Sequence, residues 1–208
     1  MGTRLAAALL AFALTSTPAM ATEEPGFQSL EKSDDFELRL YAPMIVAETF
    51  VEGSLEQASS AGFRLIAAYI FGDNRSRMGA SGETIAMTAP VTLEPRSEEI
   101  AMTAPVAVEQ GAGRWRVHFV MPSRYTMANL PVPNNPRVTL REIPERKIGA
   151  IVFSGFAGED KVKEKTEALL AWMTKRGLRP ASTPQLARYN PPWTLPFLRR
   201  NEILVAYD

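Results

Sequence analysis

Phe36-Glu-Leu-Arg-Leu-Tyr41, then Ala42-Pro43, then Met44-Ile-Val-Ala-Glu-Thr-Phe-Val51 reads as two β-strands broken by a proline. The first alternates apolar and polar residues, which puts Phe36, Leu38 and Leu40 on one face. The second is rich in β-branched and aromatic residues. A helix follows from Ser54. Ser54 and Gln57 have the spacing of a capping box, and Gly72 is placed to end the helix in a left-handed cap. Between Ala61 and Phe71 the helix reads AGFRLIAAYIF, with Arg64 its only charged residue. A surface helix carries one apolar stripe and one polar face, whereas this one is apolar nearly all round.

The strand–strand–helix order continues outward and then recurs. Ile85-Ala-Met-Thr-Ala-Pro-Val91 is repeated letter for letter as Ile100-Ala-Met-Thr-Ala-Pro-Val106. Proline cannot donate to a strand ladder, so both copies are expected at a strand edge or bulge, forming a hairpin whose loop is Leu93 to Glu99. Two copies are too few for a solenoid. Trp115 to Met121 alternates, with Trp115, Val117, Phe119 and Met121 on one face, and a proline-rich loop runs from 122 to 136. Strands are then expected at 138–143 and 147–154. A helix from Glu159 to Arg176 follows, closed by Gly177, with Val162, Thr166, Leu169, Leu170 and Met173 as a single stripe. Strands at 185–189 and 202–207 complete the chain. Two ββαββ-type halves predict an α+β fold: a distorted antiparallel β-barrel flanked by two helices.

The N-terminus has the three-part build of a secretory signal peptide. Arg4 supplies the charge, Leu5 to Leu14 the apolar run, and Ala19-Met20-Ala21 the small-residue site, with cleavage expected after Ala21. The run is shorter than the roughly 20 residues a membrane-spanning helix needs, so no stable membrane insertion is expected. Residues 22–208 are expected as one domain, monomeric, and periplasmic or secreted. Composition narrows the chemistry. With no cysteine there is no disulfide, thiolate metal site or cysteine nucleophile, and one histidine rules out a multi-histidine cluster. Twenty-three basic against 23 acidic side chains argue against a nucleic-acid partner. No Gly-x-Ser-x-Gly, phosphate loop or dinucleotide fingerprint occurs, and no enzyme is expected.

The chain resembles the SOUL haem-binding protein family. The matching stretches are Phe36-Glu-Leu-Arg-Leu-Tyr-Ala-Pro43, Tyr69-Ile-Phe-Gly-Asp-Asn74, both MTAPV copies, Phe119-Val-Met-Pro122 and Leu130-Pro-Val-Pro-Asn-Asn-Pro-Arg-Val138. Phe153-Ser-Gly155, Tyr189-Asn-Pro-Pro192 and Arg199-Arg-Asn-Glu202 continue them. The resemblance implies a duplicated barrel similar to the gyrase-inhibitor-like fold. It also implies non-covalent binding of haem or another tetrapyrrole by a carrier, buffer or sensor. Some members carry a histidine immediately before the Tyr-x-Pro of the first strand as an axial ligand; here that position is Leu40. Others hold haem in an apolar cleft beside the first helix with basic residues near the propionates. The corresponding positions here are Ser60 and Ala68, with Arg64 one turn along the same face.

The residues themselves offer a matching surface. Ala58, Gly62, Leu65, Ile66 and Tyr69 are placed to face the sheet. Ser60, Arg64, Ala67, Ala68 and Phe71 form a second helix face that suits a flat apolar ligand with a carboxylate, or else an ordinary face covered by a loop or hairpin. His118 shares its strand face with Arg116 and Val120, and is either a covered strand histidine or the metal ligand for haem iron. Met87 and Met102 occupy equivalent repeat positions, as thioether ligands or as packing. Arg199 and Arg200 are placed to meet a ligand carboxylate, or Glu202 at the strand start. Two functions follow: a tetrapyrrole-binding protein, or a module of the same fold for another amphiphilic ligand or a protein partner.

Overall fold

Each half of the chain gives its first strand to the other half. The computed structural model describes residues 22–77, 79, 82–96 and 113–208; the expected signal peptide and the second repeat copy, Met102 with it, lie outside them. The first half is β2 (Phe36–Tyr41), β3 (Met44–Glu52), α1 (Leu55–Ile70), β5 (Val91–Arg96) and β6 (Arg114–Val120). The second is β8 (Thr139–Ile143), β9 (Arg146–Ser154), α2 (Glu159–Lys175), β10 (Gln185–Arg188) and β11 (Arg200–Ala206). An edge strand β1 (Phe27–Ser33) precedes them, and β4 (Asn74–Arg75) and β7 (Val132–Pro133) pair apart from the rest. The main sheet runs β1-β2-β9-β11-β10-β5-β6-β3-β8, with β2 paired to β9 and β8 paired to β3.

That order cannot lie flat. β2 and β3 stand second and eighth in the sheet, yet only Ala42 and Pro43 join them. Six strand spacings span roughly 29 Å, whereas the link reaches about 11 Å at full extension. The two-residue link Pro144-Glu145, between the last strand β8 and the third strand β9, imposes the same closure. The sheet therefore curls into a distorted half-barrel with an outer and an inner face, the two-helix barrel expected from the sequence.

The helices cover the outer face. α1 begins with the predicted capping box between Ser54 and Gln57, and packs on β3 and β6. Gly62 meets Val117, and the Phe63 ring lies 5.6 Å from that of Phe119. α2 packs on β9 and β11, with Trp172 stacked on Phe36 at 5.0 Å and Leu169 and Met173 fully buried. Leu38, Leu93, Ile151, Leu186, Ile203 and Val205 complete this core.

Two expectations need correction. The hairpin loop placed at Leu93 to Glu99 is instead largely strand: β5 spans Val91–Arg96, pairs with β6 and β10, and buries Leu93 completely. The strand starts where the repeat's proline, which has no N–H to donate, is left behind. The sequence reading also missed β1, a largely exposed edge strand whose residues Phe27-Gln-Ser-Leu-Glu-Lys-Ser33 carry no apolar alternation. The close approach of α1 generates a first prediction. A Cβ at position 62 would sit 2.6 Å from the Val117 Cβ. Gly62→Ala should lower the urea unfolding free energy by about 3 kcal/mol, the cost of overpacking exceeding the roughly 1 kcal/mol that alanine gains in a helix. Adding Val117→Ala should recover part of that loss.

Candidate functional site

The outer face of α1 is the first surface the fold leaves open. Capping fixes the start of the helix, Gly72 at φ +117° lets the chain leave it, and burial of Ala58, Gly62, Ile66, Tyr69 and Ile70 fixes its rotation. Tyr69 anchors this orientation by donating to the Pro131 carbonyl at 2.9 Å. Ser60, Arg64, Ala68 and Phe71 consequently point outward, Phe71 at 61% exposure, with Phe63 beside them at 39%. Ala67 does not belong to that face: it is buried against the sheet side, because one residue's step of about 100° separates it from Ala68. An open cleft of about 590 Å³ lies along the helix, lined by Glu52, Glu56, Gln57, Ser60, Ala61 and Arg64. Its acidic end was not anticipated from the sequence. Met87, 39% exposed, follows closely on Ile85, whose N–H donates to the Ile70 carbonyl at the end of α1.

His118 lies elsewhere. Val117 and Phe119 meet α1, so alternation turns His118 to the inner face, where it is fully buried opposite Glu48 and Thr92. The sheet stands between this imidazole and the α1 cleft. His118, expected either as a covered strand histidine or as the ligand for haem iron, therefore does not face the α1 cleft. Burial, reinforced by the charges of Arg146, Arg141 and Arg116, lowers its pKa to about 3 and keeps it neutral. No group of three or more His, Cys, Asp or Glu residues able to hold a metal occurs among the described residues.

The inner face carries a polar network. Glu202, completely buried, accepts from Arg39 at 2.7 Å, from Arg200 at 2.8 Å and from the Tyr189 hydroxyl at 2.8 Å. Burial pushes the Glu202 carboxyl up, and the hydrogen bonds and charges of both arginines outweigh it, so its pKa lies below the usual carboxylate value. Further along, Glu48 accepts from Arg141 at 2.7 Å and Glu94 from Arg116 at 3.0 Å. Charged residues on alternating strands were the visible signal, but alternation does not distinguish a barrel interior from water.

The C-terminal arginines divide their tasks. Arg200 makes the local ion pair with Glu202 and a second with Glu24 at 2.9 Å. Arg199 donates to the carbonyls of Thr194 and Pro192 and lies over the Phe156 ring. It is held in a loop far from α1 in sequence. The expected site residues thus fall into separate groups: Ser60, Arg64, Ala68 and Phe71 on α1, His118 inside the barrel, and Arg199 in the C-terminal loop.

Residues 22–206 match the family described as SOUL heme-binding protein. The chain belongs to the SOUL haem-binding family. That family is a binding family, generally non-enzymatic. No curated protein matches this SOUL chain in sequence. Solved structures share its fold. The C-terminal domain of EcmrR is 12% identical with a TM-score of 0.60, over 88% of this chain and 98% of that one. An uncharacterized conserved protein from Listeria innocua is 14% identical with a TM-score of 0.58, over 84% and 92%. A Listeria innocua protein described as a hydrolase is 14% identical with a TM-score of 0.56, over 86% and 94%. At these identities the likeness concerns the fold alone.

The buried imidazole makes acid stability a readout of this architecture. Between pH 6.5 and about 3 the unfolded SOUL chain holds a proton on His118 that the native chain does not, so stability falls as pH falls. Glu37 and Glu202, whose pKa values are lowered from 4.5, add losses in the same direction only at lower pH. Lowering the pH from 6.0 to 5.0 should therefore cost about 1 kcal/mol of urea unfolding free energy. In His118→Gln that loss should disappear.

Proposed function

We propose that this SOUL protein is an exported, non-enzymatic carrier, buffer or sensor that binds haem or a related tetrapyrrole along the outer face of α1. The observation that carries the reading is an exposed apolar helix face with a single cation: Phe71, Phe63 and Ala68 beside Arg64. A flat apolar ring system would cover the aromatic and alanine positions, and Arg64 would hold a propionate as a charge-assisted partner. Glu52 and Glu56 line the other end of the cleft and would repel that carboxylate. The ligand is thereby oriented with its acid at Arg64 and its apolar body toward Phe71. With His118 across the sheet, Met87, exposed two residues beyond the Ile85 that bonds to the end of α1, is the thioether among the described residues that would hold the iron; haem itself supplies the redox and optical properties. The supporting facts are the family match and the exposed face.

Titration with micromolar haem should shift the Soret band. Arg64→Ala should weaken binding about tenfold, equivalent to about 1.4 kcal/mol, and Phe71→Ala should weaken it further. His118→Gln should leave the affinity unchanged. A Soret band that stays at the position of free haem overturns the reading.

A second reading, a module that docks a partner protein, is favoured by a separate surface. Phe156, Trp193, Leu195, Phe197 and Leu198 are between 55% and 81% exposed. Pro191, Pro192 and Pro196 stiffen the loop that carries most of them. Large exposed apolar groups gathered on one ordered loop mark interaction surfaces. Under this reading, the double variant Trp193→Ser/Phe197→Ser abolishes complex formation in chemical cross-linking in the native compartment while haem titration stays unchanged. Unaltered cross-linking removes the reading.

A further inference from the structure

We propose that the barrel interior is a second binding site, for a small carboxylate held between Arg146 and His118. The observation behind it is a clustering of unpaired polar atoms. Among the described residues, five buried side-chain atoms have no hydrogen-bond partner: Thr49 Oγ1, Arg116 Nε, His118 Nδ1, Arg146 Nε and Gln185 Oε1. Thr49 alternates with Glu48 and belongs to the outer face. The other four all lie on inner-face positions of β6, β9 and β10. Buried polar atoms are paired in the great majority of cases, and three of these four, Arg116 Nε, His118 Nδ1 and Arg146 Nε, can donate, so they point to an acceptor that completes them; Gln185 Oε1, itself an acceptor, is not part of that set.

The charge balance says what that group is. Facing this part of the interior are Arg116, Arg141, Arg146, Glu48 and Glu94, with neutral His118 among them. Glu48 is taken up by Arg141 at 2.7 Å and Arg116 at 3.8 Å. Glu94 is taken up by Arg116 at 3.0 Å and by the Gln185 amide at 3.2 Å. Arg146 has neither an ion pair nor a hydrogen bond among the described residues, although burial disfavours its charge. Three guanidinium groups against two engaged carboxylates leave one positive charge uncompensated in a partly desolvated place, which is costly without an anion. A metal ion is repelled by the same arginines, and water brings no charge. A carboxylate matches the planar guanidinium fork of Arg146 and accepts from the neutral imidazole. Arg116 and Arg141, whose side chains are 24% and 39% exposed, bring this part of the interior to the solvent boundary. This site lies across the sheet from α1 and does not rest on the haem reading.

His118 is the only histidine, so its imidazole nitrogen resonances in the labelled protein belong to one residue. Sodium acetate, titrated against sodium chloride at constant ionic strength, should give a saturable shift of those resonances in the millimolar range. Chloride alone should give a small linear drift. Arg146→Met should abolish the saturation. It should also melt at or above the wild-type temperature without acetate, because it removes an unpaired, partly desolvated charge, and acetate should raise only the wild-type melting temperature. Identical drifts with the two salts overturn the proposal, as does saturation that survives in Arg146→Met. A variant that melts far below wild type in acetate-free buffer also overturns it, by showing that Arg146 is paired within the fold.

Discussion

Two links of two residues govern this structure. Ala42-Pro43 and Pro144-Glu145 each join strands that stand six places apart in the sheet, and chain length alone prevents so short a link from spanning a flat sheet. Closure follows, and with it the distinction between a helix-covered outer face and an enclosed inner one. The exchange of β2 and β8 between halves also makes the halves interdependent, since each sheet neighbour of an exchanged strand is supplied by the other half. With no cysteine to cross-link them, packing and pairing must hold the halves together.

Closure explains the inner network. Glu37, Arg39, Tyr41 and Glu202 sit on strand positions that an open antiparallel sheet would turn to water. Enclosed, they must satisfy one another. Arg39 reaches across β9 to Glu202 and also donates to Glu37 at 2.8 Å and Tyr41 at 3.1 Å. Such a network adds little net stability over an apolar core, but loss of one partner leaves a charge buried alone, at a cost of about 3–5 kcal/mol. It specifies register: a one-residue slip of β2 would carry Arg39 to the helix side and strand Glu202. The other end of the interior departs from this economy, with Arg146 and His118 unpaired where Arg39 and Glu202 are saturated.

The same sheet thus serves two chemistries. On its outside, α1 presents aromatic rings, small residues and one arginine, a surface suited to a large flat amphiphile. On its inside, guanidinium groups surround a neutral imidazole, an environment suited to a small anion. The single histidine belongs to the second and is screened from the first by the strands that carry it.

Much of this was legible in the sequence because periodicity reports local geometry. The capping box at Ser54 and Gln57, the glycine after α1, the sheet-facing set Ala58, Gly62, Ile66 and Tyr69, and the duplicated ββαββ order all follow from interactions within a few residues. The outward face of Ser60, Arg64, Ala68 and Phe71 followed from the same helical period. Three features required the fold: the inner position of His118, the pairing of Arg39 with Glu202 over 163 residues, and the isolation of Arg146. Alternation along a strand names two faces but not which of them will be enclosed. That depends on strands brought together from distant parts of the chain, so the sequence alone determined the elements and their faces, and only tertiary closure decided which polar face would lose its water.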